Sequence, residues 1–342
     1  MNQKATTELA PRGHVADPQR RFTRFAWWLL GYTLLVILFG AVVRITGSGA
    51  GCGQHWPSCN GELLQMPQTL KTAIEYTHRA TSGLSVIAIV ALLIGAFRVY
   101  PRGHATRGAA VMAGVMILVE ALIGALLVKL RLVENDASFA RILVLPLHLM
   151  STALLTAALT WCAWFASSEA TPASANPLPR AAWALLFCSG LGILLVSATG
   201  AVTALGDTVY PLQHAGVSAR LQADLGENAS LLQHLRDIHP FLAGGVAAFV
   251  TYAAMLIPGY RKGVVVLRAG QCLAGVVCLQ VMAGVVNIWL SAPGPMQVAH
   301  LLLANLAWIA VIALAAALRS APLSARAAGP ARSNDSARKL IA

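Results

Sequence analysis

The sequence predicts an all-α polytopic membrane protein, with eight transmembrane helices arranged as two pseudo-symmetric four-helix bundles. Three observations predict it: the composition, the number of long apolar runs, and a set of landmarks that recurs in both halves of the chain. Of 342 residues, 57% are hydrophobic and only 11% charged, and mean hydropathy is positive, a balance that excludes an ordinary soluble domain.

The elements follow in order. Residues 1–25 form a polar N-terminal tail. With Glu8, Asp17 and no apolar core before Phe25, it resembles neither a cleavable signal nor a transit peptide, so the first span serves as its own insertion signal. Apolar runs of the length that crosses a bilayer, about 20 residues, lie at 26–44, 74–97, 109–129 and 142–166, giving an N-terminal bundle over 26–166. A polar linker rich in Pro and Ala occupies 167–180. Further runs at 181–203, 239–257, 269–290 and 297–318 give a C-terminal bundle over 181–318, and 319–342 is a polar tail. An even number of spans puts both termini on one side.

Charge orients the chain. Lys4, Arg12, Arg20, Arg21, Arg24, Arg98, Arg102, Arg107, Arg180, Arg261, Lys262, Arg268 and the basic residues of the tail fall on the side of the termini, while Glu62, Glu134, Asp136, Asp207, Asp224, Glu227 and Asp237 fall on the other. The positive-inside rule makes the termini cytoplasmic. The net charge of +12 is thus explained by topology and calls for no nucleic acid partner. A bacterial inner membrane is the expected location.

The halves share landmarks. Gly40-Ala41-Val42 near the end of the first span recurs as Gly200-Ala201-Val202 near the end of the fifth. Glu75-Tyr76-Thr77-His78 opens the second span as Asp237-Ile238-His239 opens the sixth. Glu120 and Gly124 in the third parallel Gln280 and Gly284 in the seventh, and His148 in the fourth parallels His300 in the eighth. Such a pattern indicates an internal duplication. Buried imidazoles need partners, and four of them at matched positions near the outer ends of even-numbered spans predict axial ligation of two haems, by His78 with His148 and by His239 with His300. Hydrogen bonds between helices are the simpler alternative for any one of them.

The first outer loop, Arg44 to Gly61, is rich in glycine and carries Cys52 and Cys59 on the oxidising side, where a disulfide can persist. Closing so short a loop stabilises it by roughly 2.5 kcal/mol on the chain-entropy model. The pair reads as a structural staple or as a redox pair. Cys162, Cys188, Cys272 and Cys278 lie within spans and read as inert packing.

The segment Gly40-Ala-Val-Val-Arg-Ile-Thr-Gly-Ser-Gly, with Cys52, Trp56-Pro57, Cys59-Asn60-Gly61, Glu75-Tyr-Thr-His78-Arg79 and the later His148, His239 and His300, resembles the haem A synthase family over residues 25–318. That resemblance implies oxidation of the C8 methyl of haem O to a formyl group, giving haem A for haem-copper oxidases. It implies haem O held by His78 and His148, a resident haem b ligated by His239 and His300, and Glu75 as the catalytic carboxylate. Implied partners are haem O, a haem O synthase and a membrane electron acceptor of unspecified identity; a homo-oligomer is allowed. Two departures stand out: Pro240 follows His239 where family members often carry Arg, and the second outer loop, 204–238, has no cysteine.

Glu75 and His78 are three residues apart and share a helix face, so a carboxylate there can reach the edge of a macrocycle while both axial positions are filled. The alternative for Glu75 is a first-turn carboxylate favoured by the helix N-terminus. Arg44 and Arg79 are candidates for haem propionates or for snorkelling to headgroups. A di-haem electron-transfer cytochrome would need the same four histidines but neither Glu75 nor the cysteine loop. A transporter would need interrupted helices at its midplane.

Overall fold

The structure, a computed structural model, describes residues 17–64, 66–167, 178–211, 217–227 and 229–320. Among these, the chain forms α1 (Asp17–Ile45), α2 (Leu70–Val99), α3 (Ala105–Lys129), α4 (Phe139–Ser167), α5 (Arg180–Val209), α6 (Val217–Asp224), α7 (Leu231–Tyr260), α8 (Val264–Trp289) and α9 (Gly294–Ser320). Eight of them, all but α6, are long and apolar enough to cross a membrane. The chain is therefore an all-α, multi-pass membrane protein. The calls on residues 1–16, most of the 167–180 linker and most of the C-terminal tail lie outside the described residues.

The helices run past the apolar runs that seed them. α1 starts at Asp17, whose carboxylate pairs with Arg21 one turn on at 2.6 Å and meets the positive end of the helix. α7 starts well ahead of the run at 239, where Ser230 and Gln233 form a reciprocal capping box. Both Pro240 and Pro258 lie inside α7, which continues through them. α6 is an element that the apolar pattern does not announce.

In the first half α1 packs on α2 and α4, and α3 on α2 and α4; in the second half α5 packs on α7 and α9, and α8 on α7 and α9. The halves meet where α4 lies against α5 and α9, and α1 against α9. Trp308 in α9 donates its indole N–H to the Ala153 carbonyl of α4 at 2.6 Å, and Trp164 in α4 donates to the Ser320 hydroxyl. Outer faces carry large exposed apolar side chains such as Trp28, Ile87, Leu122, Leu195 and Met282, a surface suited to lipid.

Each bundle has a dry end and an open end. The first core is made by the beginning of α1 (Phe22, Leu29), the end of α2 (Ile89, Leu92), the beginning of α3 (Ala110, Ala113) and the end of α4 (Leu155, Leu159). The second draws on the corresponding ends of α5, α7, α8 and α9, through Leu186, Val250, Ile257, Leu273 and Leu314. Both cores thus fill the end nearest the termini. At the opposite end His78, His148, His239 and His300 are only half-buried, each about two turns from the start of α2, α4, α7 or α9.

Candidate haem-binding site

Each of the four histidine rings rests against a glycine of the neighbouring helix. A Cβ placed on Gly40 would stand 3.1 Å from His78 Cε1; on Gly200, 3.1 Å from His239 Cε1; on Gly284, 3.1 Å from His300 Cε1; and on Gly124, 3.7 Å from His148 Cε1. Glycine at these positions leaves each ring the space it occupies, and the duplicated Gly-Ala-Val landmark acquires a physical reason. Within each half the two histidines are close enough to act on one another electrostatically, His78 with His148 and His239 with His300.

The rings are weakly anchored by protein. His78, His148 and His300 each keep a buried Nδ1 with no hydrogen-bond partner among the described residues. Glu120 Oε1 lies 3.3 Å from His148 Nδ1 but is not aligned for a hydrogen bond; its carboxylate instead accepts from the hydroxyls of Ser151 and Thr152 on α4. Gln280, its counterpart, approaches His300 Nε2 at 3.3 Å, and Thr199 hydrogen-bonds His239 Nδ1 at 3.0 Å. Position 120/280 is thus an interhelical polar contact in both halves. Paired imidazoles at the less buried end of a bundle, each faced by glycine, are residues that could hold an iron porphyrin between them. No cluster of three or more His, Cys, Asp or Glu suited to a metal ion occurs among the described residues.

Above the first pair sits the outer loop. Cys52 and Cys59 are joined by a disulfide, and both are almost fully buried, at 0% and 1% exposure. The loop is seated on the start of α2: Thr72 Oγ1 donates to the Gly51 carbonyl at 2.9 Å, and any Cβ on Gly51 would collide with the Lys71 backbone at 2.6 Å. Glu75 is 3% exposed. The Cys52 amide donates to its Oε2 at 2.7 Å, and Arg79 binds its Oε1 through Nε and Nη2. Arg79 also donates to the carbonyls of His55 and Ser58, so its guanidinium joins Glu75 to both sides of the disulfide loop. Glu75 lies in the second turn of α2, and Thr69 is the N-cap.

Arg44 crosses between the halves. From the end of α1 it donates to the Ala204 carbonyl at 2.7 Å and to Thr208 on α5, and to Gln297 Oε1 on α9 at 2.8 Å. In the second half the place of the disulfide loop is taken by α6. Arg236, with 0% exposure, is bidentate to Asp224, also 0% exposed, and donates to the Tyr210 carbonyl at 3.0 Å. Arg220 on α6 faces Asp207, Asp224 and Asp237 at 3.5, 3.7 and 3.8 Å. Sequence reasoning missed this cluster, although the run of Asp and Arg in 207–237 is its visible trace. Of the other cysteines only Cys162 is buried; Cys188, Cys272 and Cys278 are exposed on their helices, which corrects the reading of all four as packing.

Comparison with known proteins gives the family of the chain. The family model described as cytochrome oxidase assembly protein, COX15-CtaA, matches residues 23–312. A protein of Thermus thermophilus named protoheme IX farnesyltransferase is 40% identical over 299 residues, covering 86% of this chain and 48% of its own length. Proteins of Bacillus cereus and Bacillus anthracis named heme A synthase are 41% identical over 106 residues, 30% of this chain and 34% of theirs. The chain spans about half the length of the Thermus relative and a third of the Bacillus ones. With its model matched across most of the sequence, the chain belongs to the COX15-CtaA family of cytochrome oxidase assembly proteins, the haem A synthase family.

Proposed function

We propose that this protein is a haem A synthase, an oxidoreductase that converts the C8 methyl of haem O to a formyl group and so supplies haem A to haem-copper oxidases. The observation that carries the reading is an asymmetry between otherwise matched halves. Three residues ahead of the first histidine of each half stands a buried charge, and it is a carboxylate, Glu75, in the first half but a guanidinium, Arg236, in the second. A carboxylate one helical turn from an axial ligand can serve the rim of a bound macrocycle; an arginine there cannot take a proton.

Haem O is accordingly the substrate of the first half, between His78 and His148. His239 and His300 would hold a resident haem b, which when bound relays electrons to a membrane acceptor. Turning methyl to formyl consumes one water and releases four electrons and four protons, in two stages through the alcohol. Glu75, fixed by the Cys52 amide and Arg79, is the base for the attacking water. The buried disulfide of Cys52 and Cys59 serves as a staple that positions this carboxylate.

The Thermus relative, named for farnesyl transfer to protohaem and about twice as long as the region matched here, supports a working link with the enzyme that makes haem O. The termini are assigned to the cytoplasm of a bacterial inner membrane and the histidines to the outer side, on the distribution of Arg and Lys. The test is production of the chain in cells that make haem O but lack their own haem A synthase. Haem A should appear in the extracted haems and vanish in the Glu75→Gln variant, with haem still bound. Accumulation of haem O alone with the unaltered chain would overturn the proposal.

A further inference from the structure

Glu120 is a carboxylate within α3 that the chemistry proposed above does not use. Among the described residues it pairs with no Lys or Arg, and its side chain is 17% exposed. An acid inside a membrane span is costly to keep and needs a partner. Its surroundings come from one stretch of α4. Ser151 donates to Oε2 and Thr152 to Oε1, and Nδ1 of His148 stands 3.3 Å from Oε1. Residues three and four apart share a helix face, so α4 turns an imidazole and two hydroxyls on a single carboxylate.

His148 is in turn met from α3. Gly124, one turn beyond Glu120, faces Cε1 of the ring, and the buried Nδ1 has no hydrogen-bond partner among the described residues. Glu120 Oε1 lies within hydrogen-bond distance of that nitrogen, and the angle alone falls short. A small rotation of the ring would align the two, and a carboxylate oxygen that already accepts from Thr152 retains a lone pair for a second donor. The matched place in the second half differs in charge. Gln280 is a neutral amide, and its nitrogen approaches His300 at Nε2 instead of Nδ1. Of the two matched positions, only the one in the first half sets an anion beside a histidine.

A carboxylate that accepts the Nδ1 proton of an axial imidazole fixes the tautomer and the ring plane, and it strengthens the other nitrogen as a donor to the metal. A stronger donor favours ferric over ferrous iron and so lowers the reduction potential. We propose that Glu120 is a positioning residue of the first site, acting through His148 to lower the potential of the haem held by His78 and His148. This rests on the haem reading of the first histidine pair. It gives the half assigned to substrate oxidation the weaker hold on electrons, and it gives the difference between Glu120 and Gln280 a role.

The test uses the full chain carrying His239→Ala and His300→Ala, loaded with haem O, so that only the first pair can bind. Optical redox titration gives the midpoint potential, and low-temperature electron paramagnetic resonance reports on the axial ligands. Glu120→Gln keeps nearly the same shape without the charge. It should raise the ferrous-to-ferric ratio at a fixed potential by about tenfold, equal to about 59 mV for one electron, and should shift the g values of the low-spin signal with both imidazoles still bound. A rise of less than about threefold in that ratio, or a fall, overturns the proposal. A rise with unchanged g values overturns it too, because charge alone and not His148 would then carry the effect. If Glu120→Gln fails to fold, Glu120→Asp, which draws the carboxylate back by one methylene, decides: a raised potential with altered g values supports the proposal, and neither change overturns it. A chain that takes up no haem in the first pair refutes the haem reading itself, and the proposal with it.

Discussion

Glu75 and Arg236 occupy corresponding places, three residues ahead of His78 and His239, and each buries its charge to hold the loop that precedes its helix. Glu75 takes the Cys52 amide; Arg236 takes Asp224 and the Tyr210 carbonyl. The duplication has kept the anchoring and reversed the charge.

The glycine contacts predict a graded series. Alanine at Gly40, Gly200 or Gly284 puts a methyl 3.1 Å from an imidazole, which a ring fixed on iron has little freedom to yield, at a cost of about 1–3 kcal/mol. Gly124→Ala, at 3.7 Å, is ordinary contact. Haem content of the purified variants should fall for the first three, with Gly40→Ala depleting the first site and the other two the second, and should stay near normal for Gly124→Ala.

Arg236→Ala strands Asp224 without its main partner in a fully buried setting. Removing one member of such a pair costs about 3–5 kcal/mol. Thermal unfolding in detergent should show a large loss, and Arg236→Met combined with Asp224→Leu should recover much of it.

Replacing Cys52 and Cys59 together by alanine should lower stability by roughly 2.5 kcal/mol from loop closure alone. Haem A output should fall too, because the Cys52 amide that fixes Glu75 is no longer held. Output at the unaltered level in the double variant would show that Glu75 does not need the loop.

Much of this was legible in the sequence, and the parts that were not have identifiable causes. Eight spans follow from apolar run length, and the histidine pairs follow from the repeat. α6 escaped notice because Val217–Asp224 is short, with polar residues at every second position, so it has no long apolar run of its own and is held by Asp224 meeting Arg236. Gly40, Gly124, Gly200 and Gly284 were visible as repeated letters, but only the packing of α1 on α2, and of its counterparts, shows what they face. Arg44 and Arg79 looked free near the outer boundary because the Ala204, His55 and Ser58 carbonyls and the Thr208 and Gln297 side chains reach them only through tertiary folding, whereas Glu75, one turn from Arg79 on α2, was within reach of the sequence.

The central claim is that each half holds one haem between its two histidines. The most direct measurement is low-temperature electron paramagnetic resonance, with haem quantification, on the purified protein and on variants lacking one histidine pair. Two low-spin bis-imidazole signals are predicted for the parent, with one lost when His78 and His148 become alanine and the other when His239 and His300 do. A low-spin spectrum unchanged by either replacement would contradict the account.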